Sequence, residues 1–358
     1  MDFRQYRTLS INRENYSDET IDQLPDFDKD SLRHFLKDWM NEQPEITVQT
    51  SGSTGVPKSM QVSKNAMLAS ARRTLRFFEL KPGMTALLCL PTSFIAGKMM
   101  VIRALLGQLK LITAPPSGHP LQNLNTDIDL AAFTPMQMLN ELNNSSPRLH
   151  HLKRVIIGGG KVNAQLDRML QNQTFAAYET YGMTETLSHI ALRRINGSER
   201  QSAFVPLENV SIHTDPRGCL ALDATGITKG TIVTNDLAEI HSDGTFVILG
   251  RSDHIINSGG LKISPEILEE KIRHLITVPF VISAVDHDSL GQQVVLVTQG
   301  EPAQSDILLN QIKPLLPPHQ FPKHLYTLPH FPKTESGKIK RHALIASLKK
   351  KHPLYSCQ

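Results

Sequence analysis

Residues 85–113 read TALLCLPTSFIAGKMMVIRALLGQLKLIT, and the fold turns on them. TALLCLP (85–91) is short, apolar and closed by Pro91, the pattern of a buried strand, and LKLIT (109–113) repeats it. Between the two, residues 99–106 are helix-like. Working outward, IDLAAFT (128–134), RVIIGGG (154–160) and TFAAY (174–178) keep the same rhythm. Upstream, Ser63 reads as the N-cap of a helix with Met67, Ala71, Leu75 and Phe78 at helical spacing. Short apolar strands alternating with helices predict an α/β sheet covered by helices on its faces.

Past Val210 the rhythm changes. VSIH, GCLALD, GTIVTND and AEIHSDGTFVIL follow one another closely, with an Asp243-Gly244 turn, which predicts antiparallel hairpins. After Gly250, HIINSGGLKI reads as two short strands about a Gly-Gly turn. Ser264-Pro265 then opens a helix, serine as N-cap and proline at its first position, with Leu268, Ile272 and Leu275 as the apolar stripe. FVISAVDH and QVVLVTQG read as strands, and a helix is expected over 305–316. The change of composition at 251–253 divides the chain into 1–252 and 253–358.

The 358 residues are 40% apolar, enough for folded cores. Three cysteines, Cys89, Cys219 and Cys357, have no metal-type spacing and make no disulfide framework. No run approaches 18 apolar residues, which excludes a spanning helix, and the first 20 residues hold no apolar secretion core, so a cytoplasmic protein is expected. The net charge is +4, unevenly spread: residues 301–358 carry nine Lys/Arg against three Asp/Glu, and the first 300 sum to −2. A basic end suits nucleic acid, a membrane surface or a phosphorylated small molecule. Lys349, Lys350 and Lys351 also fit a solvated helix end, and no aromatic residues interleave that run, so no nucleic-acid partner is expected.

Chemistry concentrates in Thr50-Ser51-Gly52-Ser53-Thr54-Gly55-Val56-Pro57-Lys58. Glycines let backbone N–H groups approach an anion, hydroxyls add donors and the lysine adds charge, so the loop suits a polyphosphate; a flexible linker would have the same composition. The GxxxxGK[ST] spacing of Walker-type phosphotransferases is absent. Three further segments follow: Tyr181-Gly182-Met183-Thr184-Glu185-Thr186; Asp236 with Gly250-Arg251-Ser252-Asp253; and PKTESGKIKR over 332–341. Together, in this order, the four resemble the signature segments of the acyl-adenylate-forming superfamily, which includes acyl-CoA synthetases, peptide-synthetase adenylation domains and luciferases.

The resemblance implies a role for each segment. Thr50, Ser51, Gly52, Ser53, Thr54, Gly55 and Lys58 would cradle the ATP phosphates. Gly158, Gly159 and Gly160 would lie against adenine, on which Tyr181, next to Gly182, would stack. Thr184 would bond the phosphate and Glu185 would be a hard oxygen ligand for Mg²⁺. Asp236 would accept both ribose hydroxyls, with Arg251 reaching the ribose or the phosphate. Lys338 would be catalytic. A carboxylate needs no general base to attack phosphorus, so the step asks for positioning and cancellation of charge. Asp253 would be the hinge on which the small C-terminal domain turns, bringing Gly259, Gly260 and Lys262 to CoA. The implied fold class is α/β: a large N-terminal α/β domain with sheets flanked by helices plus an antiparallel β subdomain, and a small mobile α+β C-terminal domain. ATP, Mg²⁺, CoA and a small-molecule acid are the expected partners, on a monomer or homodimer.

Only 49 residues precede the phosphate loop, fewer than is usual in the superfamily. Among compact members the pattern is most similar to the o-succinylbenzoate–CoA ligases of menaquinone synthesis, on YGMTET with the following LSHIA, and on LPTSFIAG opening a helix. Phe94 stands where relatives often carry histidine. A doubly charged aromatic keto-acid needs one carboxylate free to react and the other anchored. Lys98 or Arg103 would anchor it, with Ser93 and His189 as donors and Phe94 and Gly97 at the pocket. Both cations also fit a solvated helix, and Phe94 and Met99 also fit plain core packing. A ligase for another aryl or fatty acid, a carrier-protein loader and a nucleotide-binding module without catalysis are the alternatives. A decayed module would have lost at least one of Glu185, Asp236 and Lys338; all three are present.

Overall fold

The computed structural model describes residues 2–25, 30–49, 59–302, 305–333, 339–348 and 352–356. The opening stretch forms strand Thr85–Leu88, helix Ile95–Gly107 and strand Lys110–Thr113 of a nine-stranded sheet. Six of its strands run parallel: Leu9–Ile11, Lys110–Thr113, Thr85–Leu88, Leu130–Phe133, Arg154–Ile157 and Ala176–Gly182, in that spatial order. Antiparallel strands extend both edges, Glu14–Tyr16 at one and His189–Arg194 with Val205–Pro206 at the other.

Alternation along the central strands explains why they read as unbroken apolar runs. Ala86 and Leu88 face one core, with the helices Ser31–Met40, Lys64–Phe77 and Ile95–Gly107. Leu87 and Cys89 face the other, with Pro135–Asn143 and Ala164–Leu170. A parallel sheet covered on both faces needs apolar side chains at every position. The Met67, Ala71, Leu75 and Phe78 stripe is buried, and the Ser63 hydroxyl accepts from the Ala66 N–H at 3.4 Å as the expected cap. The region before residue 50 supplies the strands Leu9–Ile11 and Glu14–Tyr16 and a helix whose Leu32, Phe35, Leu36 and Trp39 are buried. Sequence reading had assigned nothing there.

Past residue 210 the expected antiparallel sheet is present: Val210–Thr214, Cys219–Ala224, Ile232–Ile240 and Phe246–Arg251, in chain order. A third sheet gathers Ile256–Ser258, Leu261–Ile263, Phe280–His287, Gly291–Gln299, His324–Leu328 and Tyr355–Ser356, with the helices Pro265–Ile272, Ser305–Ile312 and Arg341–Leu348. Gly259 and Gly260 make its first turn at φ +56° and +81°, a conformation glycine takes without a side-chain penalty. One expectation is corrected. Ser264 precedes helix Pro265–Ile272 but its hydroxyl does not cap it; it donates to the Leu249 carbonyl at 3.1 Å, tying the helix to strand Phe246–Arg251. Gly250 leaves room for this approach, since a Cβ there would lie 2.4 Å from Ser264 Oγ. Among the described residues no helix is long and apolar enough to cross a membrane.

Candidate functional site

The carboxyl ends of parallel strands are where open α/β sheets receive ligands, because connecting loops diverge there and leave backbone groups unpaired. Three expected segments lie at such ends. Gly158, Gly159 and Gly160 follow Arg154–Ile157; Tyr181 and Gly182 end Ala176–Gly182; Pro91 and Ser93 follow Thr85–Leu88. The glycines answer steric demands. A Cβ on Gly158 would sit 2.4 Å from Thr180 Oγ1, and one on Gly182 would sit 2.3 Å from the Ser188 carbonyl oxygen. Thr184–Thr186 form one 3-10 turn, pinned by Thr186, whose buried hydroxyl accepts from the Met183 N–H at 3.0 Å and has the Ser188 and Met183 carbonyls within reach of its one proton, at 2.7 and 2.9 Å. Leu187 leaves that turn at φ +64°, strained for a branched residue and held by its burial. Thr184 is half-buried; Glu185 is exposed and has no ion pair among the described residues.

The expected ribose and hinge residues are brought together. Asp236 and Arg251 are register partners on neighbouring antiparallel strands. Tyr181 donates its hydroxyl to Asp236 Oδ2 at 2.6 Å, and Arg251 Nη1 donates to Asp236 Oδ1 at 3.1 Å. The same guanidinium donates from Nε and Nη2 to the two Asp253 oxygens at 2.9 and 2.8 Å, a bidentate pair. Asp253 lies in the 3-10 turn Ser252–His254, between the second and third sheets. Burial pushes the Tyr181 phenol up, and the Asp236 charge adds to it, so the hydroxyl stays protonated. Burial raises the Asp253 carboxyl most, but the Arg251 hydrogen bond and charge, with the His254 charge and a backbone hydrogen bond, together leave it below its ordinary value. The Tyr181 ring meets Phe246 edge-on at 5.4 Å and Phe204 at 5.9 Å. Tyr181 thus stitches the main sheet to the second sheet at a carboxylate, a double use that its sequence context does not announce.

The two charged residues of helix Ile95–Gly107 differ. The helix is apolar on every side, so both are carried under the surface. Lys98 turns its ammonium over the Phe35 ring at 4.9 Å. Arg103 is 2% exposed and donates to Ser188 Oγ at 2.6 Å. Neither is a solvated helix residue. Ser188 Oγ lies 3.3 Å from His189 Nδ1, and His189 Nε2 lies 3.0 Å from Thr74 Oγ1. Burial, reinforced by the Arg103 charge, holds His189 well below the usual histidine range, so it is neutral. Ser93 and Phe94 are exposed, and Gly97 faces the Pro91 carbonyl, 2.3 Å from where a Cβ would stand. Met99 is fully buried in the core. Ser188 and Thr74 were not singled out from sequence; their hydroxyls gain meaning only through Arg103 and His189.

The phosphate loop, Thr50 to Lys58, and Lys338 lie outside the described residues. Their stems are described. Gln49 pairs with Ser59 in the hairpin Glu45–Gln49/Ser59–Ser63. Lys333 bridges Ile339, and the Lys340 N–H donates to the Pro332 carbonyl at 2.8 Å. The described residues flanking each stretch are therefore held by antiparallel pairing. Gly259, Gly260 and Lys262 are exposed at the hairpin of the third sheet. Among the described residues no three His, Cys, Asp or Glu cluster as a metal cage. A lone exposed carboxylate such as Glu185 suits an ion held chiefly by phosphates.

The family model for the AMP-binding enzyme matches residues 9–222, and this chain belongs to that family. Its relatives are informative about which branch. It is 27% identical over 320 residues to the 2-succinylbenzoate–CoA ligase of Salmonella typhimurium, covering 86% of this chain and 69% of the relative. The crystal structure of an acyl-CoA synthetase (AMP-forming)/AMP-acid ligase II-like protein from Dyadobacter fermentans matches with 34% identity and a TM-score of 0.63, over 92% of this chain and 97% of that one. The o-succinylbenzoate coenzyme A synthetase of Bacillus subtilis, in complex with ATP and magnesium ion, shares the fold at 19% identity, TM-score 0.70, over 86% and 74% of the two chains.

Proposed function

We propose that this chain is an AMP-forming acid–thiol ligase that joins a carboxylic acid to CoA, with 2-succinylbenzoate as the acid and menaquinone synthesis as the setting. The observation that carries the reading is the convergence of Tyr181, Asp236, Arg251 and Asp253, from two sheets and the turn after them, on one carboxylate-guanidinium cluster. Family membership supports reading that cluster as a nucleotide site, and the Salmonella relative's name supports the choice of acid. The reaction's setting is the cytoplasm, where ATP and CoA are at hand.

In the first half-reaction a carboxylate oxygen of the acid bonds to the α-phosphorus of ATP, and the bond to the β-phosphate bridging oxygen breaks, releasing pyrophosphate. The loop 50–58 and Thr184 hold the phosphates, Asp236 and Arg251 hold the ribose, and Gly158 to Gly160 with Tyr181 hold adenine. Magnesium bound at Glu185 would neutralise phosphate charge. Lys338 supplies the last positive charge to the pentavalent phosphorus. In the second half-reaction the CoA sulfur bonds to the acyl carbon and AMP leaves. The domain 253–358 turns about Asp253 to withdraw Lys338 and to present Gly259, Gly260 and Lys262 to CoA.

The test measures AMP release with ATP, magnesium, CoA and either 2-succinylbenzoate, benzoate or decanoate. AMP release that needs both an acid and CoA is the expected result. ATP binding with no release for any acid would make the protein a nucleotide-binding module instead. Lys338→Ala is expected to cut acid-dependent pyrophosphate–ATP exchange by about 100- to 1,000-fold, the size of one lost electrostatic donor, while a supplied adenylate still reacts with CoA. Equal loss of both steps would remove Lys338 from its assigned role.

A further inference from the structure

Helix Lys64–Phe77 carries three arginines, Arg72, Arg73 and Arg76, for which the ligase reading has no use. Two adjoining cavities open beside them and share Arg72 and Arg76. The smaller, about 170 Å³, lies between the helix and Glu208, Asn209 and Thr225 beside the second sheet, with Arg73 in its wall. The larger, about 600 Å³, lies where helices Lys64–Phe77 and Ile95–Gly107 end, and Leu75, Leu80, Pro82 and Leu106 line it together with Lys81. Pro82 shortly precedes strand Thr85–Leu88, and Gly107 shortly precedes Lys110–Thr113. The cleft therefore sits at the amino ends of those parallel strands, while the candidate site gathers at carboxyl ends.

The cations there outnumber the acids. Arg73 is 6% exposed. Its Nε donates to the Glu208 carbonyl at 2.7 Å and its Nη2 to the carbonyls of Asn209 and Thr225 at 3.3 and 2.6 Å, while its Nη1 has no partner among the described residues. Neutral carbonyls thus hold it, and burial pushes the guanidinium down, with the Glu208 charge opposing that. Glu208 accepts Arg76 Nη1 on both its oxygens, at 2.9 and 2.7 Å. Arg72 and Lys81 have no hydrogen-bond or ion-pair partner for their charged ends among the described residues. The helix ends do not occupy them either: the last carbonyls of the two helices accept from the N–H groups of Phe78, Glu79, Leu80 and Leu109. With Glu79 on the rim, four cations face two acids, which leaves +2.

We propose that this cleft is a second ligand site, apart from the ligase's own substrates, and that it takes an organic phosphomonoester, its phosphate among Arg72, Arg73 and Arg76 and its apolar body on the leucines. A phosphomonoester carries about −1.5 to −2 charges at pH 7, which the cleft balances, and its three free oxygens suit guanidinium donors. A single carboxylate would leave a positive charge over. Inorganic phosphate would leave the leucines facing water. The larger volume falls within the range of small-molecule sites. Arg73 is set in place by its carbonyl bonds, so little side-chain freedom is lost when phosphate binds, and Arg72 adds an uncommitted guanidinium.

The full chain is titrated calorimetrically with 1-naphthyl phosphate, alone and with saturating ATP or CoA. The expected result is a Kd below about 1 mM that neither ATP nor CoA moves. 1-Naphthol and inorganic phosphate, each lacking half of the ligand, should bind at least about 10-fold more weakly. Arg73→Met should weaken binding of the phosphomonoester about 10- to 100-fold, the scale of lost hydrogen bonds to a charged group. Arg72→Met removes a side chain with no partner among the described residues; it should weaken binding about 10-fold, and it carries the test if Arg73→Met does not fold. Displacement by ATP or CoA, equal binding of naphthol or of inorganic phosphate, or unchanged affinity in a folded arginine variant overturns the site, and so does no binding at all. The titration needs no turnover, so a protein without ligase activity leaves this test intact.

Discussion

Two arginines held below the surface, Arg103 in the main sheet's layer fully and Arg341 in the third sheet's in part, have opposite surroundings. Arg341 starts helix Arg341–Leu348; its Nη2 donates to Glu269 Oε1 at 2.6 Å and its Nη1 to the Ile282 carbonyl at 2.6 Å, with Glu266 3.8 Å away. Glu269 in turn accepts from the Ile282 N–H at 2.8 Å. Arg103, more deeply removed from water, has a hydroxyl, a sulfur and no acid among the described residues. A guanidinium whose hydrogen bonds close within the fold holds the fold together. One whose bonds stay open stands ready for something that arrives. The difference separates a charge that the fold answers from one that the described residues leave unanswered.

The largest effect expected from this contrast is at Arg341. Arg341→Met strands the buried Glu269 carboxylate, and losing one partner of a buried pair costs about 3–5 kcal/mol. Urea melts should show that loss, and Glu269→Gln added to it should restore much of it. A loss under about 1 kcal/mol would put Arg341 in the same class as Arg103 and erase the contrast. The network has a mechanical reading as well. Arg341 follows the Lys333–Ile339 bridge, and helix Pro265–Ile272, which carries its partner Glu269, also carries Glu266, which bonds His254 Nδ1 at 2.6 Å beside the proposed hinge Asp253. Helix Pro265–Ile272 thus joins both ends of the part proposed to turn.

A middle-sized effect concerns pH and the Arg103 neighbourhood. His189 is held neutral by burial and by the Arg103 charge, so its folded pKa lies well below its unfolded value of about 6.5. Below that unfolded value the unfolded chain binds a proton that the folded chain refuses, so stability falls as pH drops. The sign follows from linkage, and one group contributes at most about 1.4 kcal/mol per pH unit, or about 2 kcal/mol between pH 6.5 and 5. Comparing wild type with His189→Gln over that range should show a flatter profile in the variant. Identical slopes would mean that His189 is protonated in the folded protein and that the surroundings of Arg103 are not as dry as drawn.

How much of this could be read beforehand divides along the same line. The alternation of strands and helices, the hairpin sheet past residue 210 and the small third sheet were legible, because a doubly covered sheet writes its burial into every strand position, as in 85–89. The segment before residue 50 was not. Its strands Leu9–Ile11 and Glu14–Tyr16 are three residues each, too short for a period to show. At the site, Asp236, Arg251, Tyr181 and Asp253 stood out through their motifs and do meet. Ser188, Thr74 and Glu269 did not, since a lone serine, threonine or glutamate on an ordinary element has no local signature. Lys98 and Arg103 looked interchangeable. Five positions apart on a helix they point about 140° apart, and only tertiary packing shows that one meets Phe35 and the other Ser188.

The smallest effect is the most telling. Removing an uncompensated buried charge should cost the fold little, because the desolvation penalty disappears with it. Arg103→Met keeps the length and most of the packing of the stem, and replacing buried ions by apolar residues is often neutral or stabilising. Its urea midpoint should therefore lie within about 1 kcal/mol of wild type, or above it, in contrast to the several kcal/mol lost at Arg341. Adding 2-succinylbenzoate should then raise the wild-type midpoint and leave the variant's in place, since only a ligand bound by the native state shifts the transition. A variant destabilised as much as Arg341→Met would show that Ser188 and Met100 already satisfy Arg103, and that its charge belongs to the fold after all.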